Sequence, residues 1–209
     1  MLEFEWKWPP NTLRFTPQYY THEQEYGKQS HVYRSPHWVV EMQSPPQTES
    51  ERREITSLLA KTEGRHVVNI YDPRCPVPAY YQSIYSDSSP VGLIPDLTIV
   101  ETDKVGSITV IGKVDDFITS GDPIAFTHMG VRHYYRACDD LRLDGTEQQL
   151  KVYIRPRFTL TGLSILAERV RPTCRFLINT NAVVGVTTSD NVSTYQINGV
   201  EFFGVIDDS

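Results

Sequence analysis

The densest set of side chains able to bind a metal or move a proton is His128, His133, Cys138, Asp139 and Asp140. A mononuclear zinc or iron site needs imidazole, thiolate and carboxylate donors converging on one point. Here His128 and His133 flank a turn containing Gly130, with neither an HxxxH helix nor a paired cysteine. On strands, the odd separation of His133 and Cys138 puts them on opposite faces. The spacing therefore predicts turn and strand residues rather than a metal site or a metal-dependent hydrolase built on His128, His133 and Asp139. The pairs Asp115-Asp116, Asp139-Asp140 and Asp207-Asp208 invite comparison with glycosidase acid/base carboxylates or calcium ligands. Glycosidase carboxylates, however, are partners in space from separate elements, and a calcium loop alternates its acids. These pairs are expected to be charged turns. The chain has no GxSxG elbow, no GxxxxGK[ST] and no GxGxxG. The expectation is a protein that is not an enzyme, with no catalytic residue, no cofactor and no metal.

The aromatic residues offer a different chemistry. Trp6, Trp8, Tyr19, Tyr20, Tyr26, Tyr33, Trp38, Tyr80, Tyr81, Tyr85, Tyr134 and Tyr135 include several in proline-flanked contexts. Tyr and Trp bury large rigid area while keeping a polar tip, so they anchor interfaces and also stack on sugars. Tyr80, Tyr81 and Tyr85 are the candidate interface or glycan-stacking residues. Trp38 and Tyr71 are expected in the core or on a sheet face.

Strand signals dominate the elements that would position these groups. They cover Leu13–Phe15, His31–Met42, Val67–Tyr71, Leu97–Val100 and Ser107–Gly112, then several short strands in Ser120–Phe158. Cys174–Asn179, Val183–Thr187 and Thr194–Ile206 follow in the same style. Pro36 predicts an edge strand or a break within His31–Met42. One segment departs from this rhythm. Thr48 and Glu51 form a capping box, acids occupy the first turns, and Ile55, Leu58, Leu59 and Thr62 share one face before Gly64. A helix over about residues 49–63 is expected, its apolar stripe packed on a sheet. Tyr80–Asp96 reads as a long connection, and Leu160–Arg171 as a second transition.

The chain has 209 residues, a net charge of −6, 39% hydrophobic and 22% charged residues. Such a composition belongs to a globular protein, and the length suits one or two domains. No basic cluster exceeds the two residues Arg52-Arg53, which argues against binding a phosphate backbone. MLEFEWKWPP mixes acids with apolar residues and does not read as a secretory leader. No window approaches the roughly 18 apolar residues of a membrane span. Cys75, Cys138 and Cys174 are odd in number and far apart, which predicts reduced, partly buried thiols in a protein made in the cytosol.

Taken in order, these segments resemble the distal tail protein family of long-tailed (siphovirus-like) bacteriophages. The features that carry the resemblance are SHVYRSPHWVVEMQSPP, the capped helix TESERREITSLLAKTEG, VVNIYDPR, the block with GDPIAF, HYYRACDDLRLDG and LKVYIRPRF, and the terminal YQINGVEFFGVID. The likeness runs over most of the chain from about residue 30 and rests on joint order, since each motif alone is common in β proteins.

The resemblance implies a mainly β protein: a tube-like β-sandwich with one flanking α-helix over 1–92 and 171–209, carrying an inserted small β-barrel or sandwich over 93–170. It implies a structural virion protein of the tail tip, made in the host bacterial cytoplasm. Such a protein forms a hexameric ring between the tail tube protein and the hub or baseplate, with genomic DNA only as passing cargo and no membrane. Long strands such as Thr194–Ile206 and His31–Met42 would then leave edges that inter-subunit pairing covers. Acidic net charge suits a lumen through which DNA slides. The competing expectation is a carbohydrate-binding module or adhesion subunit that recognises a host surface glycan.

Overall fold

The computed structural model describes residues 3–5, 12–23, 30–44, 46–60, 65–82, 94–103, 106–153, 159–187 and 193–203. The protein is mainly β and divides into two compact units. The first contains 1–16, 38–70 and 174–209, and the second contains 17–37 and 71–173.

A six-stranded sheet is built from β1 (Glu3–Glu5), β2 (Thr12–Glu23), β3 (Ser30–Gln43), β4 (Arg65–Tyr71), β13 (Thr173–Thr187) and β14 (Ser193–Glu201). Its order is β1-β4-β13-β14-β3-β2. β1 runs parallel to β4, whereas β14 is antiparallel to both β13 and β3. Strand alternation selects the buried face. Trp38, Val40 and Met42 on β3, Phe176 and Ile178 on β13, and Tyr195 and Ile197 on β14 are buried. Glu41, Gln43, Gln196 and Asn198 on the same strands are exposed. Phe15 of β2 lies 5.2 Å from Phe176, ring to ring. At Gly199 a Cβ would lie 3.1 Å from side-chain atoms of Ile178, Phe176 and Val40, so a larger residue there would make those neighbours give by a few tenths of an ångström.

Three sequence expectations change here. Leu13–Phe15 is part of a 12-residue strand. Its Pro17 sits in the strand that ends the sheet, the place in a sheet where proline is ordinarily found. Pro36 neither breaks β3 nor places it at an edge. Pairing with β14 reaches only Val39, so the missing N–H of Pro36 lies beyond that ladder. The segments Cys174–Asn179 and Val183–Thr187 are one strand, with a register shift against β14 between Ile178 and Val183. In consequence β3 and the described part of Thr194–Ile206 are interior strands, not edges. The two ends of the sheet are β2 and β1.

Helix α1 (Glu49–Ala60) starts where its capping box predicts. Glu51 Oε2 accepts from the Thr48 backbone N–H and from its hydroxyl, each at 2.8 Å, and Thr48 Oγ1 accepts from the Glu51 N–H at 3.4 Å. The backbone and hydroxyl donors of Thr48 hold the Glu51 carboxyl below its usual range. Ile55 is buried, and residues 61–64 lie outside those described.

The second unit is assembled from short strands. β5 (Leu97–Asp103), β6 (Ser107–Gly112), β11 (Gln148–Lys151) and β12 (Ile165–Ala167) form a sheet in the order β11-β6-β5-β12. β7 (Phe117–Ile118) pairs with β10 (Leu141–Arg142), and β8 (Pro123–His128) with β9 (Val131–Arg136). The β8–β9 turn is Met129-Gly130, with φ of 48° and 76°, the left-handed pair that a tight hairpin requires. A shared core of Leu97, Ile99, Ile108, Val110, Ile124 and Phe126, among others, joins these pairs. The segment expected as a plain connection contains a short helix, α2 (Ala79–Gln82).

Candidate functional site

Residues 72–82 belong to the second unit and are tied to the rest of it through three aspartates, Asp72, Asp116 and Asp122. Asp72, which closes β4 in an Asp-Pro turn, is 2% exposed. Its carboxylate accepts from Arg74 Nη2 at 2.8 Å and from Arg136 Nη2, at the end of β9, at 2.7 Å. Burial opposes ionisation of Asp72, but the bonds from Arg74 and Arg136 prevail and hold its carboxyl below the usual range. Asp122, in the Gly121-Asp122 turn, takes the Ala79 and Thr119 backbone N–H groups on its two oxygens, each at 2.8 Å. It thereby caps α2 from a distant part of the chain. Burial pushes its carboxyl up against those two bonds.

Asp116 is the third. Tyr81 Oη donates to Asp116 Oδ1 at 2.6 Å, and the Phe117 N–H donates to the same oxygen at 2.7 Å. Its other oxygen pairs with Arg169, and both side chains are almost wholly buried. The Arg169 guanidinium also reaches the carbonyls of Pro95 at 3.2 Å and Phe117 at 2.8 Å, and lies 5.7 Å from the Tyr81 ring centre. Burial, then the bond to Asp116, pushes the Tyr81 phenol well above its usual range, so it keeps its proton and serves as a donor. Arg169 lines a cleft of about 630 Å³ with Ile94, Pro95, Asp96, Lys113 and Glu168. The Glu168 carboxylate is held in a two-pronged pair by the buried Arg132, which also bonds Thr173 O at 2.9 Å. The network can hold chain segments in register and present a cleft wall. Its phenol and carboxylates are occupied as donors and acceptors within the fold.

The sequence candidates fall in different places. Tyr81 is 7% exposed, so its ring is not available for stacking on a ligand. Tyr80 keeps 41% of its surface and stacks on Phe117 at 5.1 Å, while Arg142 approaches the Phe117 ring at 5.9 Å. Tyr85 lies outside the described residues, as do Trp6, Trp8, Tyr26 and the pair Asp207-Asp208. Trp38, Tyr134 and Tyr135 are buried.

His128 and His133 do not converge with Cys138, Asp139 and Asp140. His133 stacks on Phe126 at 4.7 Å, and burial, with lesser contributions from His128 and Arg132, pushes it down to about 4. Among the described residues no group of His, Cys, Asp and Glu is placed to hold a metal ion. All three cysteines are free thiols, Cys174 buried and the others half-buried. Burial and the nearby Asp72 push the Cys75 thiol up.

Asp116 and Arg169 were not legible as partners. Asp116 reads in sequence as half of an exposed acidic turn, but Asp115, at a φ of 65°, is exposed in the turn while Asp116 is buried where the chain enters β7. The usable signal was Asp116 just before the apolar Phe117-Ile118, a position that burial reaches. No described helix is long and apolar enough to cross a membrane. No protein-family model matches the chain, and no curated protein matches it.

Proposed function

We propose that this protein is a structural subunit of a bacteriophage tail tip, forming a hexameric ring that joins the tail tube to the hub or baseplate. The observation that carries the reading is the six-stranded sheet with β2 at its end. A 12-residue end strand offers a row of backbone donors and acceptors for a neighbour. The far edge of the sheet, β1, is a different surface, as head-to-tail closure of a ring requires. In this reading the first unit is the tube-like β-sandwich with α1 on its flank, and the second is a small inserted β-barrel. The ordered features behind the family resemblance support it too: Trp38 in β3, the capped α1, the Asp72 turn after β4, the Gly121-Asp122 turn before β8, and β14. The polar face of β3 and β14, with Glu41, Gln43, Gln196 and Asn198, would suit the wall of a channel for passing DNA.

Light scattering and negative-stain imaging of the full chain test this reading, which expects six-fold rings or their formation on adding tail tube protein. A monomer at high concentration that does not bind tail tube protein would remove it. A second reading, adhesion to a host surface glycan, is favoured by the half-exposed Tyr80 beside Phe117. It expects glycan-array binding that disappears in Tyr80→Ala.

A further inference from the structure

The cleft beside Arg169 has its origin in the strand order. Leu97 of β5 pairs with Gly112 of β6 on one side and with Ala167 of β12 on the other. These are the last rungs at that end of the sheet, and Asp96, Lys113 and Glu168 each lie one residue beyond them. There β12 changes partner: Glu168 exchanges backbone hydrogen bonds with Ala125 of β8, at 2.7 and 3.1 Å. Residues 94–96 and 167–170 are therefore no longer laddered to each other, and they form two walls of the cleft. The Arg169 side chain, reaching Pro95 O at 3.2 Å, ties one wall to the other. All of the lining belongs to the second unit.

Four charged side chains line the cleft, and two of them are compensated within the fold. Arg169 is paired with the buried Asp116, and Glu168 with the buried Arg132. Asp96 and Lys113 are exposed, and among the described residues neither side chain has a hydrogen-bond or ion-pair partner. Both adjoin the Leu97–Gly112 rung, on neighbouring strands, so one uncompensated negative and one uncompensated positive charge stand side by side. The rest of the lining, Ile94, Pro95, Ala167 and Val170, is apolar and half-buried. A volume of about 630 Å³ is in the range of pockets that enclose a small molecule.

We propose that this cleft binds a zwitterionic α-amino acid with a large apolar side chain. Its carboxylate pairs with Lys113, its ammonium with Asp96, and its side chain covers Ile94, Pro95, Ala167 and Val170. A ligand with a carboxylate alone would set that charge beside Asp96, and one with an ammonium alone would set it beside Lys113. An α-amino acid carries both charges on one carbon, as neighbouring Asp96 and Lys113 require. Arg169 and the Glu168–Arg132 pair hold the walls in place, so binding has little of the protein to order.

Isothermal titration calorimetry of the full chain with L-phenylalanine tests this, against three analogues. N-acetyl-L-phenylalanine lacks the ammonium, L-phenylalaninamide lacks the carboxylate, and glycine lacks the side chain. Each is expected to bind at least about tenfold more weakly. In Asp96→Asn the penalty for N-acetylation should vanish while that for amidation persists, and Lys113→Met should show the reverse. No binding of L-phenylalanine by the wild type would overturn the site. Equal affinity for L-phenylalanine and the two charge-blocked analogues, or penalties that survive in both variants, would overturn the roles of Asp96 and Lys113. Glycine binding as tightly as L-phenylalanine would overturn the role of the apolar lining.

Discussion

In the six-stranded sheet, β2, β3 and β13 run for 12, 14 and 15 residues, whereas the longest strand wholly inside the second unit, β5, has 7. Long strands fix their own register, because slipping by one residue would turn every buried side chain to the other face. Strands such as β7 and β10, of 2 residues each, have too few rungs for that. The second unit compensates with buried polar groups. Asp72, Asp116, Asp122, Arg132, His133 and Arg169 are all buried in it. The described buried polar groups of the first unit are Ser44, Gln47 and Glu201, and Glu201 extends a strand ladder by accepting the Trp38 N–H at 2.8 Å. One region is therefore specified by alternation of apolar residues, and the other by particular charged pairs.

That contrast can be broken most sharply at Arg169. Arg169→Met leaves the buried Asp116 without its cation, and urea denaturation should show a loss of about 3–5 kcal/mol. Combining it with Asp116→Leu should recover part of that loss, because the stranded charge is gone. Recovery is the decisive outcome, and its failure would mean that the second unit is specified by packing after all. In the first unit, Phe176→Ala should cost about 3–4 kcal/mol through the cavity it leaves, and no polar substitution nearby should rescue it.

His133 supplies a pH test. Its folded value, about 4, lies below its ordinary 6.5, so the unfolded chain binds the proton more readily. The contribution of neutral His133 to stability is complete above pH 6.5 and is lost as pH falls toward 4, by up to about 3 kcal/mol. Chemical denaturation of wild type across that window should show the loss, and His133→Phe should flatten it. An unchanged pH slope in the variant would show that the buried carboxylates, not the histidine, govern acid sensitivity. The smallest effect belongs to Thr48→Ala, which should lower stability by about 1 kcal/mol through the cap of α1 and leave the second unit untouched. Thermal melting measures it.

Local chemistry was readable. The Thr48–Glu51 box lies within one turn, and Gly121-Asp122 is a turn on its own residues. The same Asp122 as the cap of α2 was not readable, since its partner Ala79 is 43 residues away. The extent of β2 was hidden for a related reason: beyond Phe15 its residues carry no clear apolar alternation, and its place at the end of the sheet is not encoded locally. Tyr80 and Tyr81 show how little residue type decides. They are neighbours in α2, yet one is half-exposed on Phe117 and the other is buried against Asp116.

The sequence by itself determined a mainly β protein with a capped helix, because strand alternation, turn residues and caps act over a few residues. Only the tertiary structure decided which strands lie inside the sheet, which aspartates are buried, and that Asp116 meets both Tyr81 and Arg169. Those outcomes depend on pairing between distant segments, where the energy of a charge is set by what surrounds it rather than by its neighbours in the chain.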